Sequence, residues 1–254
     1  MNRNTTLLVT SLSVFIGIQA GHAQDGPPTF SPLEIFGCNY VGSSDMGDLN
    51  TVIATWNEWM DTKGMNNYTA LTLTPHFTAA DFPYDVLWLG VWADGAALGG
   101  TTQWLSEGGE VQDDFADVID CPLHQGMAVT NIREPADPPS DIAPVEFSNC
   151  TVHDGRTGPE AGGAIIEFAE FMAENGSSAG HWILLPGPGE EADADYSFKW
   201  VTGYSSWDSV GADFELYMNG GGRQRFAALT GRVVSCDAPR MYNSQLVRAA
   251  AEDS

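Results

Sequence analysis

"PLEIFGC" (Pro32–Cys38) returns in altered form as "PVEFSNC" (Pro144–Cys150), 112 residues further along the chain. Pro32, Glu34 and Cys38 then lie over Pro144, Glu146 and Cys150. The same offset lays "IATWNEWMDTKG", from Ile53, over "IIEFAEFMAENG", from Ile165, so that Trp56 meets Phe168, Trp59 meets Phe171 and Met60 meets Met172. Without a gap, Asp81, Tyr84, Trp88 and Trp92 fall on Asp193, Tyr196, Trp200 and Tyr204, and Gly108-Gly109 on Gly220-Gly221. Only beyond the glycine pair does the offset drift, to 115 at Cys121 and Cys236. A single register held over that length marks an internal duplication.

Each copy has one order of elements. A short strand, "PLEIFGCNY", precedes a helix over about Asp48 to Lys63, where Leu49, Val52, Ile53, Trp56, Trp59 and Met60 recur at helical spacing and Gly64 follows as a stop. Two strands, "NYTALTLTP" and "DVLWLGVW", are joined by the loop from His76 to Tyr84. A second helical region, Ala96 to Asp120, is interrupted at Gly108-Gly109, and "LHQGMAVTNI" closes the copy as a strand. This is β-α-β-β-α-β, the ferredoxin-like motif. In the second copy the last strand is the weakest, around Met241 to Val247. The expected divisions are a signal peptide over 1–23, an N-terminal linker over 24–31, repeats over 32–132 and 144–248, a proline-rich linker over 133–143 ("REPADPPSD" within it), and a tail over 249–254.

The motif orders its strands 4-1-3-2, which sets the end of strand 1 beside the start of strand 4. Cys38 and Cys150 end the first strands, and Cys121 and Cys236 precede the fourth. Topology therefore predicts the pairs Cys38–Cys121 and Cys150–Cys236, since a disulfide needs Cα atoms within about 7 Å. An even cysteine count suits an oxidising compartment. The N-terminus agrees: Arg3, an apolar stretch from Thr6 to Ile18, then Gly21-His22-Ala23 with small residues at −3 and −1 of a cleavage site. The expected location is the periplasm or the exterior. The chain carries a formal charge of −24, and loss of residues 1–23 makes it −25. That field opposes nucleic acid and anionic lipid. No later segment is apolar for about 18 residues, so no membrane span follows the signal.

A single ferredoxin-like sheet buries one face under its helices and leaves the other open, and two tandem copies are expected to set their open faces together. Over about residues 30–248 the arrangement resembles the dimeric α+β barrel superfamily, in which two such units enclose a barrel. That superfamily includes antibiotic-biosynthesis-monooxygenase-like proteins, haem-degrading monooxygenases and chlorite-dismutase-like haem proteins. The resemblance implies, in monooxygenase-like members, a strand asparagine, a barrel tryptophan and a histidine around the substrate. Asn39 and Trp88 match the first two roles. Neither second helical region holds a histidine, which leaves His76, in the loop after strand 2, as the candidate for the third.

In "DVLWLGVW" (Asp85–Trp92), strand alternation sets Trp88, Gly90 and Trp92 on one face and Leu87, Leu89 and Val91 on the other. With the aliphatic face under the helices, Trp88 and Trp92 are expected to look into the barrel, joined by Trp200 and Tyr204 from the second copy and by Tyr40 at the end of strand 1. Glycine in a strand marks close approach by a ligand or by a neighbour. The leading expectation is a small apolar or aromatic molecule bound by those five side chains. The alternatives are a cofactor-independent monooxygenase-like enzyme using Asn39, Trp88 and His76, and an interaction protein whose barrel is packed solid. Glu34 and Glu146, at matching strand positions, read as solvated residues or as acid–base groups. The four histidines after residue 23 are scattered, with no HExxH or CxxC, so neither a metal nor a cofactor is expected. The acidic loop Gly189 to Tyr196 lacks the calcium-loop pattern and reads as a solvated turn.

Overall fold

The structure is a computed structural model that describes residues 28–191 and 194–251. The expected signal segment lies outside the described residues. The first repeat comprises β1 (Ser31–Tyr40), α1 (Met46–Thr62), β2 (Tyr68–Phe77), β3 (Val86–Trp92), α2 (Gly100–Glu107), α3 (Gly109–Val118) and β4 (Ile119–Arg133). The second comprises β5 (Ala143–Val152), α4 (Gly158–Glu174), β6 (Gly180–Pro186), β7 (Phe198–Gly203), α5 (Trp207–Met218), α6 (Gly222–Thr230), β8 (Val234–Cys236) and β9 (Arg240–Arg248).

The long helix of each repeat starts on a reciprocal cap. Asp45 accepts from the backbone of Gly47 and Asp48 while Asp48 reaches back, and Thr157 and Glu160 do the same for α4, where Pro159 pre-sets the first turn. One face of each helix is buried: Leu49, Val52, Ile53, Trp56 and Met60 on α1, and Ala161, Ile165, Phe168, Ala169 and Met172 on α4. The second helical region is broken in both repeats at the glycine pair. In the second repeat Gly221 begins α6 with φ of 94°, a conformation that favours glycine.

Strand order in the first repeat is β4-β1-β3-β2, as the motif requires. The second repeats it with β6, β7, β5 and then β8 and β9, which share the fourth-strand role. Antiparallel seams β2–β9 and β4–β6 join the repeats, and β5–β7 completes a closed barrel. Both disulfides form as the topology predicts, Cys38–Cys121 and Cys150–Cys236. Cys121 sits inside β4 rather than ahead of it. The fourth strand of the second repeat is broken because Asp237 takes the Asn149 N–H through its carboxylate at 2.7 Å, and Pro239 has no N–H to donate.

Two departures follow from local register. The 112-residue offset lays Thr69 over His181, but His181 lies across from Thr202 as Ala70 lies across from Gly90, so His181 corresponds to Ala70. The turn before β6 is therefore one residue shorter than its counterpart.

The second departure reverses the faces of β3. Trp88, Gly90 and Trp92 lie under the helices, and Leu87, Leu89 and Val91 face the barrel interior. Trp88 stands edge-on to Trp56 of α1 and Phe115 of α3, with ring centroids 5.0 and 5.9 Å apart. The gap at Gly90 is filled by Tyr68, whose hydroxyl occupies the space a Cβ there would need. Both faces of this strand are apolar, so alternation separates them without saying which is inside. The two indoles of β3 fill the deep layer between sheet and helices, and its shorter aliphatic side chains line the barrel.

Candidate functional site

Residues from both repeats converge on the barrel interior. Leu33, Leu71, Leu89 and Val91 from the first meet Phe147, Trp182, Leu184 and Val201 from the second. They do not fill it: a cavity of about 440 Å³ remains toward the end where β4 leaves and β5 enters. Close-packed interiors seldom keep voids larger than a water molecule. This volume falls within the range of small-molecule pockets, roughly 300–1,000 Å³.

The inter-repeat linker covers that end. Pro135 packs against Gly180, the Ala136 N–H donates to the Ser178 carbonyl at 2.9 Å, and the Ser140 N–H donates to the Ser205 carbonyl at 2.9 Å. Glu134, the first residue after β4, lines the cavity, and its Oε1 is buried with no hydrogen-bond partner among the described residues. Burial pushes the Glu134 carboxyl up to about 7.

Leu73 and Phe147 separate this cavity from a smaller one, about 220 Å³, at the opposite mouth. That mouth is lined by Tyr84, Gln125, Asn149, Lys199, Arg240 and Tyr242 among others. Lys199 donates to Asn149 Oδ1 at 2.9 Å, Arg240 pairs with Asp237 at 2.5 Å, and Glu190 accepts from Gln125 at 3.0 Å and from Tyr196.

The residues singled out in the sequence do not assemble around these cavities. Trp88 donates through Nε1 to the Tyr68 hydroxyl at 3.0 Å, and Tyr68 donates to Glu34 Oε1 at 2.8 Å. His124 Nε2 lies 3.1 Å from the other oxygen of Glu34. Trp92 packs on Tyr68 at 4.5 Å, and Trp200 on Phe168 and Phe226, each at 5.9 Å, all beneath the helices. Tyr40 is in the same layer, its N–H donating to Asp85 Oδ2 at 3.0 Å. Tyr204 alone of the five expected ligand-binding residues is on the cavity wall, at the linker end.

Asn39 accepts from the Asp85 N–H at 3.2 Å, and His76 packs at a tilt against Trp207, with ring centroids 4.4 Å apart, near Asn243. Asn39, Trp88 and His76 thus have separate neighbours, and neither Asn39 nor His76 lines a cavity. Sequence reasoning missed Leu89, Val91, Trp182 and Glu134. The aliphatic members carry no signal that distinguishes them from ordinary core, whereas a glutamate opening a proline-rich linker between two repeats is legible.

Beneath the helices of the second repeat lies a buried polar group of side chains. Burial pushes His181 down to about 3, with Arg133 adding to the effect, so its imidazole is neutral. Its Nδ1 is 3.2 Å from Thr202 Oγ1. Burial raises Glu146 to about 7, against hydrogen bonds from Tyr204 and Thr202 and with Asp213 adding. Asp213 itself accepts from Ser177 at 2.8 Å.

No family model matches the chain, and no curated protein matches it. Solved structures do. A protein from Lactobacillus acidophilus, provisionally described as a monooxygenase, superposes with a TM-score of 0.53 at 9% identity, covering 89% of this chain and all of that one (100%). A dye-decolorizing peroxidase from Bacteroides thetaiotaomicron gives 0.51 at 8% identity, over 87% of this chain and 94% of that one. A variant of the chlorite dismutase of Candidatus Nitrospira defluvii gives 0.52 at 5% identity, over 85% and 90%. At such identities the likeness is one of fold. The chain has the dimeric α+β barrel fold, with both halves in one polypeptide.

Haem is the cofactor that the chlorite-dismutase-like part of this superfamily implies. It needs an axial ligand facing a space wide enough for the macrocycle. Among the described residues neither cavity wall carries a histidine, cysteine or methionine, Tyr204 is hydrogen-bonded with Glu146, and Tyr84 and Tyr242 border only the cavity of about 220 Å³. His181, the buried histidine, is closed over by Trp200 at 5.7 Å. The residues present do not fit haem. Among the described residues no cluster of three or more histidines, cysteines or carboxylates is placed to hold a metal.

Proposed function

We propose that this protein binds a small apolar or aromatic molecule inside its barrel. The observation that carries the reading is the cavity of about 440 Å³ between the repeats, walled by aliphatic side chains with Trp182 and Phe147. Burying an apolar ligand there gains roughly 25 cal/mol per Å² removed from water. The site moves from the tryptophan face expected from the sequence to the aliphatic face of the same strand.

Titration calorimetry with methylnaphthalene tests it. Leu89→Trp, which fills the lumen, is expected to weaken binding at least tenfold, on the order of the 1.4 kcal/mol that a tenfold change represents. Trp200→Phe, under the helices, leaves affinity unchanged. Binding that survives Leu89→Trp, or is lost only with Trp200→Phe, contradicts the assignment. Each variant's melting transition shows that it is folded.

We also propose that the chain is exported, to the periplasm or beyond. Two disulfides behind a leader-like N-terminus support this reading. Expressed with its own N-terminus in a bacterium, the protein is expected to have an intact mass lacking residues 1–23. A full-length mass from the cytoplasm contradicts it.

A further inference from the structure

We infer that the barrel is built for an apolar molecule bearing one protonated amine, received by the carboxylate of Glu134. The inference rests on the binding reading above and specifies its ligand.

Most of the cavity wall is aliphatic, aromatic or proline, with Thr69, Ser205 and Ser244 as its uncharged polar side chains. Its titratable members are Glu134, Asp137 and Tyr204. Asp137 is exposed, and Tyr204 is beside Glu146. Among the described residues Glu134, a lining residue, is the one of the three that has a buried carboxylate oxygen without a donor. Buried polar atoms in native proteins are almost always paired, and one left over calls for a partner from outside the chain. The neighbouring cation does not serve: Arg133 donates instead to the carbonyls of Ala179 and Ser177. Burial by itself raises the Glu134 carboxyl to about 7, with no charged group contributing.

A neutral carboxylic acid in a low-dielectric site ionises when a cation arrives, because the pair replaces the lost hydration of each partner. Charge selects the same class. A chain of net charge −24 draws cations toward its openings and repels anions. At the opposite mouth, where an anion would be received, Lys199 and Arg240 already face Asn149, Asp237 and Glu190.

Four probes of one skeleton separate the possibilities: naphthylmethylamine, naphthalenemethanol, methylnaphthalene and naphthoate, titrated calorimetrically into the whole protein. The amine is expected to bind at least about tenfold more tightly than the alcohol and the hydrocarbon, the scale of a charge-assisted hydrogen bond. Its binding releases about half a proton at neutral pH, read by repeating the titration in buffers of different ionisation enthalpy. The neutral probes release none. Glu134→Gln removes the preference and the proton release; if that variant does not fold, the wild-type ranking decides. Equal affinities, tighter binding of naphthoate, or a preference that survives in Glu134→Gln would overturn the inference while leaving an apolar site. Failure of all four probes removes the binding reading itself, and this inference with it.

Discussion

Gly90 sits where the Tyr68 hydroxyl accepts from Trp88 and donates to Glu34, so its missing side chain is a packing requirement. Gly90→Ala displaces that ring and is expected to cost about 1–3 kcal/mol in denaturant unfolding, the range for overpacking. A variant as stable as the parent contradicts the placement. Tyr68→Phe in the Gly90→Ala background recovers part of the loss, because the clash is with the phenol oxygen and its ring edge. Glu146 supplies a pH signature. Its native carboxyl is raised to about 7, mainly by burial, so between its ordinary value and 7 the folded state holds the proton more tightly than the unfolded state does. The stability it contributes is present at low pH and is lost as pH rises through that window. Glu146→Gln is therefore expected to gain stability relative to the parent as pH rises from the ordinary carboxylate range to about 7. His181, lowered to about 3, has the opposite slope: its contribution is full above its ordinary pKa and is lost as pH falls. A Glu146→Gln curve parallel to the parent's over that range contradicts the burial assigned to the carboxyl.

At the scale of elements, much was legible and the misses have causes. The caps and apolar stripes of α1 and α4 follow from sequence spacing, because one face in contact with the sheet imposes a helical period. The cysteine pairs follow from strand order alone. Each disulfide joins residues separated by 83 or 86 positions, and removing either by Cys→Ser at both ends is expected to cost roughly 2–5 kcal/mol. A loss well under 1 kcal/mol would contradict their structural role. The register of β6 escaped reading because one residue fewer before it is offset by one more after it, and a gapless offset hides the exchange. The break between β8 and β9 rests on Asp237 and Pro239, whose counterparts in the first copy do not interrupt β4. The faces of β3 could not be told apart, since a strand between a helix layer and a barrel interior is apolar on both sides.

At the scale of the whole molecule, duplication explains the architecture: each repeat leaves one sheet face open, and the seams β2–β9 and β4–β6 join the two around a common interior. Whether that interior is filled depends on summed side-chain volumes from eight strands, which no local pattern reports. The indoles of Trp88 and Trp92 lie under the helices, the barrel keeps mostly aliphatic side chains with Trp182 and Phe147, and a cavity of about 440 Å³ results. The most direct measurement is a crystal of the protein pressurised with xenon, since apolar cavities of this kind admit it. Xenon is expected among Leu71, Leu89, Val91 and Val201, inside the barrel. A barrel interior occluded by side chains, with xenon only among Trp88, Trp92 and Trp200 beneath the helices, would contradict it.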